Sequence, residues 1–243
     1  MKVMILAAGL GTRLRPLTND RPKALVEVAG RTLLEIALKR LREFGVREVI
    51  VNTHHFAEMI PAYLAEHDNF GMRIEISHEE ELLDTGGGLK KAAWFFLEDG
   101  PDAAETFVVH NVDVISTIDL GRMVRFHAEH KALATLAVQD RKTSRPLLFD
   151  EAGGLRGRGG RREENAEPRA SAERLESLAF SGIHAVSPAI FAKLDEAGAF
   201  SIIDAYLRLA GQGEKIAAFR ADEYEWRDLG RPENVTEAAR ELT

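Results

Sequence analysis

The chain predicts an α/β fold, a mostly parallel sheet with helices on both faces, and three observations carry that prediction. Short apolar runs rich in β-branched residues alternate with amphipathic segments of helical period. Glycines punctuate the changes from one to the other. The 243 residues with 45% hydrophobic content suffice for one sizeable core.

The first apolar run is Val3 to Ala8, bounded by glycine. A helix follows from Thr32 to Phe44, with Leu33, Leu34, Ile36, Ala37, Leu38 and Leu41 on one face, and Gly45 ends it. Glu48 to Asn52 is a second strand, so a βαβ unit results. A helix fits Ala57 to Glu66, a strand Arg73 to Ser77, a glycine turn Gly86 to Gly88, a helix Leu89 to Phe96 and a strand Thr106 to His110. Such alternation implies parallel pairing through crossover helices.

After Asp119 come a helix to His130, a strand Ala134 to Gln139 and a polar, glycine-rich stretch from Arg141 to Glu176. That stretch predicts a hairpin with a mobile loop, Asn165 to Ala172 being its least ordered part. Regular structure resumes over Leu178 to Val186, with helices around Pro188 to Asp195 and Ile202 to Leu209 and a strand Ile216 to Arg220. Tyr224 to Leu229 makes a last strand, and Pro232 to Leu242 a last helix opened by proline. A single catalytic domain over 1–243 is expected, with 141–176 as an insertion.

Composition narrows the function. With no cysteine there is neither a disulfide nor a zinc-thiolate site, so any metal is held by oxygen or imidazole. A net charge of −7 argues against a general nucleic-acid binder. The N-terminus lacks signal-peptide character and no apolar stretch is long enough to span a membrane, so a cytoplasmic protein is expected. The basic run Arg156 to Arg162, followed by Glu163, Glu164 and Glu167, reads as a solvated loop. Oligomeric state, monomer or small homo-oligomer, stays open.

The glycine-rich segment directly after the first strand stands where doubly wound sheets bind ligands. Gly9 and Gly11 let an anion approach backbone N–H groups, Thr12 adds a hydroxyl, and Arg13, Arg15 and Lys23 bring cations to the same place. This is a phosphate-handling pattern. It is neither G-x-G-x-x-G, since Leu14 stands at the third glycine, nor a P-loop, since the G-K-[ST] ending is missing.

LAAGLGTRLRPLT followed by RPKAL resembles the signature of the sugar-1-phosphate nucleotidyltransferases, the NDP-sugar pyrophosphorylases. The resemblance implies a Rossmann-like three-layer sandwich with a mixed, mostly parallel sheet, the GT-A-like nucleotidyltransferase fold. It implies that the Gly9 to Thr12 backbone holds nucleotide phosphates, that Arg13 stabilises the pyrophosphate leaving group and that Lys23 contacts the reacting phosphates. Ala7, Ala8 and Asn111 join the expected nucleotide contacts. Two aspartates on separate strand ends, Asp113 in HNVDV and Asp228 in WRDLG, suit a shared Mg2+, and the family assigns the same pair. Here Val112 replaces the glycine of the family's NGD.

DTGGG at Asp84 to Gly88 resembles the family's base-recognising loop, with Thr85 as a cap and Gly86 against the base; Glu80 is expected to offer a backbone contact. Asn52 is expected to face the crevice, and His54 and His55 are left between loop and ligand roles. Ser181 and Gly182 in AFSGIH interrupt an apolar strand and suit a sugar; the family places its sugar side there. DRKTSRPLLFD, AFSGIHAVSP and FSIIDAYL look most like a bacterial subgroup that includes the N-acetylmuramate-1-phosphate uridylyltransferases. The resemblance implies condensation of a nucleoside triphosphate, UTP favoured, with a sugar 1-phosphate, and no C-terminal β-helix. A guanylyl- or cytidylyltransferase acting on a heptose, mannose, polyol or amino-alcohol phosphate, and a non-catalytic nucleotide-binding module, are the alternatives.

Overall fold

A computed structural model describes residues 1–100, 105–159 and 174–241. In chain order the elements are β1 (Lys2–Leu6), β2 (Glu27–Val28), β3 (Arg31–Thr32), α1 (Leu33–Glu43), β4 (Glu48–Thr53), α2 (Met59–Glu66), β5 (Arg73–His78), α3 (Asp84–Lys91), α4 (Ala93–Phe96) and β6 (Phe107–Asn111). They continue with β7 (Val114–Ser116), α5 (Leu120–His130), β8 (Ala134–Gln139), β9 (Leu147–Phe149), β10 (Leu155–Arg158), β11 (Glu176–Val186), α6 (Ile202–Gly211), β12 (Ile216–Arg220), β13 (Trp226–Asp228) and α7 (Pro232–Glu241).

The main sheet runs β5-β4-β1-β6-β11-β8-β12, with β9 and β10 branching from the first half of β11. β1 pairs in parallel with β4 and β6, β4 with β5, and β12 with β8, whereas β11 runs antiparallel to all three of its neighbours. The sheet is therefore mixed and mostly parallel. Its central strands are apolar on both faces because both faces are covered. In β1, Val3 and Ile5 join a core with Leu34 and Leu38 of α1, while Met4 joins the opposite core with Leu89 of α3 and Phe95 of α4. Helices α1, α2, α5 and α7 contribute to the first core, α3, α4 and α6 to the second, which gives three layers.

Helix starts follow the capping chemistry of the sequence. Thr32 accepts from Glu35 N at α1 and Asp119 from Arg122 N at α5. Three expectations are corrected. The glycines Gly86 to Gly88 form no turn; they lie inside α3 and are buried. The last strand is shorter than expected and leaves the main sheet, pairing as β13 with β7 in an antiparallel ribbon. Pro188–Lys193 is a 3₁₀ segment rather than an α-helix. The expected hairpin after Arg141 is β9–β10, while the expected mobile loop Asn165 to Ala172, and the end of the Arg156–Arg162 run, lie outside the described residues. Of that run, Arg156 pairs with Asp150 at 2.6 Å and Arg158 with Asp204 at 2.9 Å.

Candidate active site

The site grows from the end of β1, at the middle of the sheet. The chain leaving β1 is anchored by Asn52 at the end of β4: Ala7 N and Ala8 N donate to its Oδ1 at 2.6 and 3.3 Å. Its Nδ2 donates to Glu79 Oε1 at 2.7 Å, and Glu79 Oε2 accepts from Leu83 N at 2.9 Å. Glu79 is completely buried. Asn52 therefore braces the loop from below instead of facing the crevice, and the Ala7 and Ala8 N–H groups are engaged by it. Of the three expected nucleotide contacts, Asn52 is turned to the loop backbone and Glu79, and the Ala7 and Ala8 N–H groups are taken up by it.

Beyond the brace the loop turns at Gly11, where φ is +63° and a Cβ would stand 3.0 Å from Thr18 Cγ2 and 3.2 Å from Lys23 Cβ. Thr18 Oγ1 donates to Gly11 O at 2.9 Å, and a 3₁₀ turn Thr12–Leu14 buries Leu14 and leaves Thr12 and Arg13 exposed. Gly9 has open space where a Cβ would be. Lys23 opens a second 3₁₀ turn and its ammonium pairs with Asp113 Oδ2; both side chains are largely buried.

The β7–β13 ribbon brings the two aspartates together. Asp228 is in register with Val114, and Leu229 N donates to Asp113 O at 2.8 Å. The turn after Asp228 needs Gly230, whose Cβ would meet Asp228 Oδ1 at 2.7 Å, Arg13 Nη2 at 2.9 Å and Asp113 Oδ2 at 3.2 Å. Arg13, Asp113 and Asp228 thus converge on one point. Burial and the neighbouring Asp113 charge push the Asp228 carboxyl above its ordinary value. A carboxylate pair that repels itself is a ready position for a hard cation, which the all-oxygen donor set suits. No group of three or more acidic or histidine ligands exists among the described residues, so such an ion would complete its shell from phosphates and water. Val112 does not disturb this: it is core, 2% exposed, and its N–H donates to Leu6 O at 3.2 Å.

A cavity of about 750 Å³ opens from this point, lined by Arg13, Asn111, Asp113, Ser181, Gly182 and Asp228. β11 makes room for it by a bulge: its register against β8 shifts between Phe180 and His184. Gly182 sits in the bulge at φ +75°, where a Cβ would strike Asn111 Nδ2 at 2.8 Å and Val114 Cγ2 at 2.9 Å. Arg141 and Trp226 also line the cavity. The Arg141 guanidinium stacks 3.5 Å from the Trp226 ring centre and donates through Nη2 to Phe180 O at 2.7 Å, while Trp226 Nε1 donates to Ser181 O at 2.7 Å.

Thr85 is half-buried, Gly86 is buried, and both are engaged within the protein. Thr85 Oγ1 accepts from Ile202 N at 3.0 Å, so it caps α6 and not its own helix. Gly86 N donates to Phe200 O at 2.9 Å, and its missing Cβ makes room for the Phe200 ring. Glu80 is exposed, and His54 Nδ1 donates to Glu79 O at 2.9 Å. Arg141, Trp226 and Gly230 were not among the expected site residues, and of the acidic run Glu79 to Glu81 only Glu80 was. For Gly230 the signal was present, a glycine two residues after Asp228; nothing in the run of three glutamates marked Glu79 as the buried one.

Fold and site set a glycine loop and a carboxylate pair side by side at one end of a mixed α/β sheet, beside an open cavity. A family model described as nucleotidyl transferase matches residues 2–149. An N-acetylmuramate alpha-1-phosphate uridylyltransferase of Caulobacter vibrioides is 36% identical over 237 residues, covering 95% of this chain and 92% of that protein. A UTP–glucose-1-phosphate uridylyltransferase of Synechocystis is 30% identical, covering 99% of this chain and 63% of its own length. Among solved structures, a UDP-glucose pyrophosphorylase complexed with UDP-glucose matches with a TM-score of 0.78 at 18% identity, covering 99% of this chain and 97% of that one. The chain belongs to the nucleotidyl transferase family.

Proposed function

We propose that the protein condenses a nucleoside triphosphate, UTP in the first place, with a sugar 1-phosphate to give an NDP-sugar and pyrophosphate. The observation that carries this is the convergence of Arg13, Lys23, Asp113 and Asp228 at the end of β1, beside a cavity large enough for a sugar. N-acetylmuramate 1-phosphate is the sugar favoured by the Caulobacter relative's name.

In this reading a phosphate oxygen of the sugar 1-phosphate attacks the α-phosphorus in line. A P–O bond forms there as the bond to the β-phosphate oxygen breaks, and pyrophosphate leaves with the electron pair. The sugar phosphate is ionised at neutral pH, so no protein nucleophile or base is required; catalysis is positioning and charge neutralisation. Gly9, Gly11 and Thr12 receive the triphosphate, Arg13 balances the charge that grows on pyrophosphate, and Lys23 leaves Asp113 for the reacting phosphates. Mg2+ held by Asp113 and Asp228 would supply Lewis-acid neutralisation of both phosphates. Ser181 and Gly182 receive the sugar ring.

The test is pyrophosphate release from panels of nucleoside triphosphates and sugar 1-phosphates with magnesium. A folded protein that releases none from any pair overturns the proposal. Asp113→Asn is expected to lower kcat by about 100-fold or more.

A further inference from the structure

The cavity holds more positive charge than the transfer reaction uses. Beyond Arg13 and the two aspartates, it is lined by Arg141, Arg145, Arg158 and Arg231. Two of these are paired, Arg158 with Asp204 at 2.9 Å and Arg231 with Glu233 at 3.8 Å. Arg141 and Arg145 have no carboxylate partner among the described residues.

Both come from the segment that joins β8 to β9, which also gives the cavity the hydroxyls of Thr143 and Ser144. Arg141 is held in advance of any ligand: its guanidinium is fixed between the Trp226 ring and Phe180 O, and its Nε is buried with no hydrogen-bond partner. A buried donor without an acceptor is costly, and a ligand oxygen would satisfy it. Arg145 is exposed at the cavity wall. The hairpin fixes the backbone beside it: Gly159 N donates to Pro146 O at 2.9 Å, Leu147 is in register with Arg158, and a Cβ on Gly159 would strike Pro146 Cγ at 2.8 Å.

We propose that Arg141 and Arg145 form an anion subsite on the sugar side of the cavity, and that it recognises a carboxylate carried by the sugar in addition to its 1-phosphate. Planar guanidinium groups match a carboxylate with paired N–H donors, and partial exclusion of water strengthens that match. The phosphates are already provided for by Arg13, Lys23 and the aspartate pair, the nearer of which to Arg141 is Asp228, two residues beyond Trp226. The inference rests on the proposed transfer reaction and names the substrate class for it, an acidic sugar 1-phosphate. Arg141 and Arg145 act there as specificity residues.

The test compares kcat/KM for N-acetylmuramate 1-phosphate, whose lactyl ether ends in a carboxylate, with that for N-acetylglucosamine 1-phosphate, the same amino sugar without it. The wild-type chain is expected to prefer the acidic sugar by about tenfold or more, and Arg145→Gln to lose most of that preference. Arg141→Lys, which keeps charge but not the planar fork, is expected to reduce the same ratio. The ratio is insensitive to a fraction of misfolded protein, and Arg145, being exposed, decides the matter if Arg141→Lys does not fold. A wild-type ratio near one, or a ratio unchanged in Arg145→Gln, overturns the subsite while leaving the transferase intact. No pyrophosphate from either sugar or any other overturns both.

Discussion

Single residues decide whether the glycine loop is in place. Asn52 is the clearest case, since one amide accepts from Ala7 N and Ala8 N and donates to Glu79. Replacing it by alanine leaves the Ala7 N–H and the Glu79 carboxylate without their partner in a buried setting. Each such orphan costs about 1–3 kcal/mol, more when charged. Asn52→Ala is therefore expected to destabilise the protein by about 3–5 kcal/mol, read as a lower midpoint in urea. Asn52→Asp keeps the acceptor, loses the donor and sets a second buried carboxylate against Glu79, so it is expected to be no better tolerated. An Asn52→Ala variant within about 0.5 kcal/mol of wild type would remove the brace from the account. The sequence placed Asn52 at a strand end and expected it to face the crevice, but strand-end position does not fix orientation, and the amide is turned to the loop backbone and Glu79. Arg13, Lys23, Asp113 and Asp228 were legible because charged groups beside a glycine loop and at strand ends have few other uses.

Elements show where local propensity and packing disagree. Three consecutive glycines carry the lowest helix propensity short of proline, so they read as a turn, yet they form the third to fifth positions within α3. The cause is tertiary: a Cβ at Gly86 would stand 2.2 Å from Phe200 Cε2, and one at Gly87 would stand 2.4 Å from Gly198 O. Propensity alone says that Gly86→Ala gains about 1 kcal/mol. Packing wins, and the substitution is expected to cost about 1–3 kcal/mol, with Phe200→Ala recovering part of the loss in a double-mutant cycle. Gly87→Ala meets a backbone carbonyl, so the same second change is expected not to rescue it. Unfolding measurements on the four variants check both statements, and rescue of both glycines alike would contradict them. The β7–β13 ribbon escaped the sequence for a related reason: at three residues each, its strands are too short for periodicity to register, though they carry the register that joins Asp113 to Asp228.

At the scale of the molecule, alternating patterns foretold the parallel core and its two covered faces, because strands buried on both sides must be apolar throughout. They did not foretell that β11 runs against its neighbours, since direction leaves no mark on composition. That strand brings a polar feature into the sheet. His184 on β11 and His110 on β6 are both buried, as is His127 of α5, and burial lowers their pKa values to about 3, about 4 and about 4. His110 Nδ1 donates to Asn111 O at 2.8 Å, and His184 Nδ1 meets the Tyr206 hydroxyl at 2.6 Å, so the neutral rings are hydrogen-bonded as they stand. Their ordinary value is 6.5. Between that value and the depressed ones, the unfolded chain binds protons that the folded chain refuses, so stability is complete above about pH 6.5 and falls as the pH drops toward 4. Each histidine is expected to contribute a loss of about 2 kcal/mol by pH 5. Carboxylates such as Glu98, lowered to about 2 by Arg73 and Lys2, act in a separate window, because their contribution is lost only as the pH falls below the ordinary value of 4.5. Urea midpoints measured from pH 7.5 to pH 5 are therefore expected to fall steadily below 6.5, with a shallower fall in His127→Gln; a flat profile over that range would show that the three rings accept protons in the folded protein.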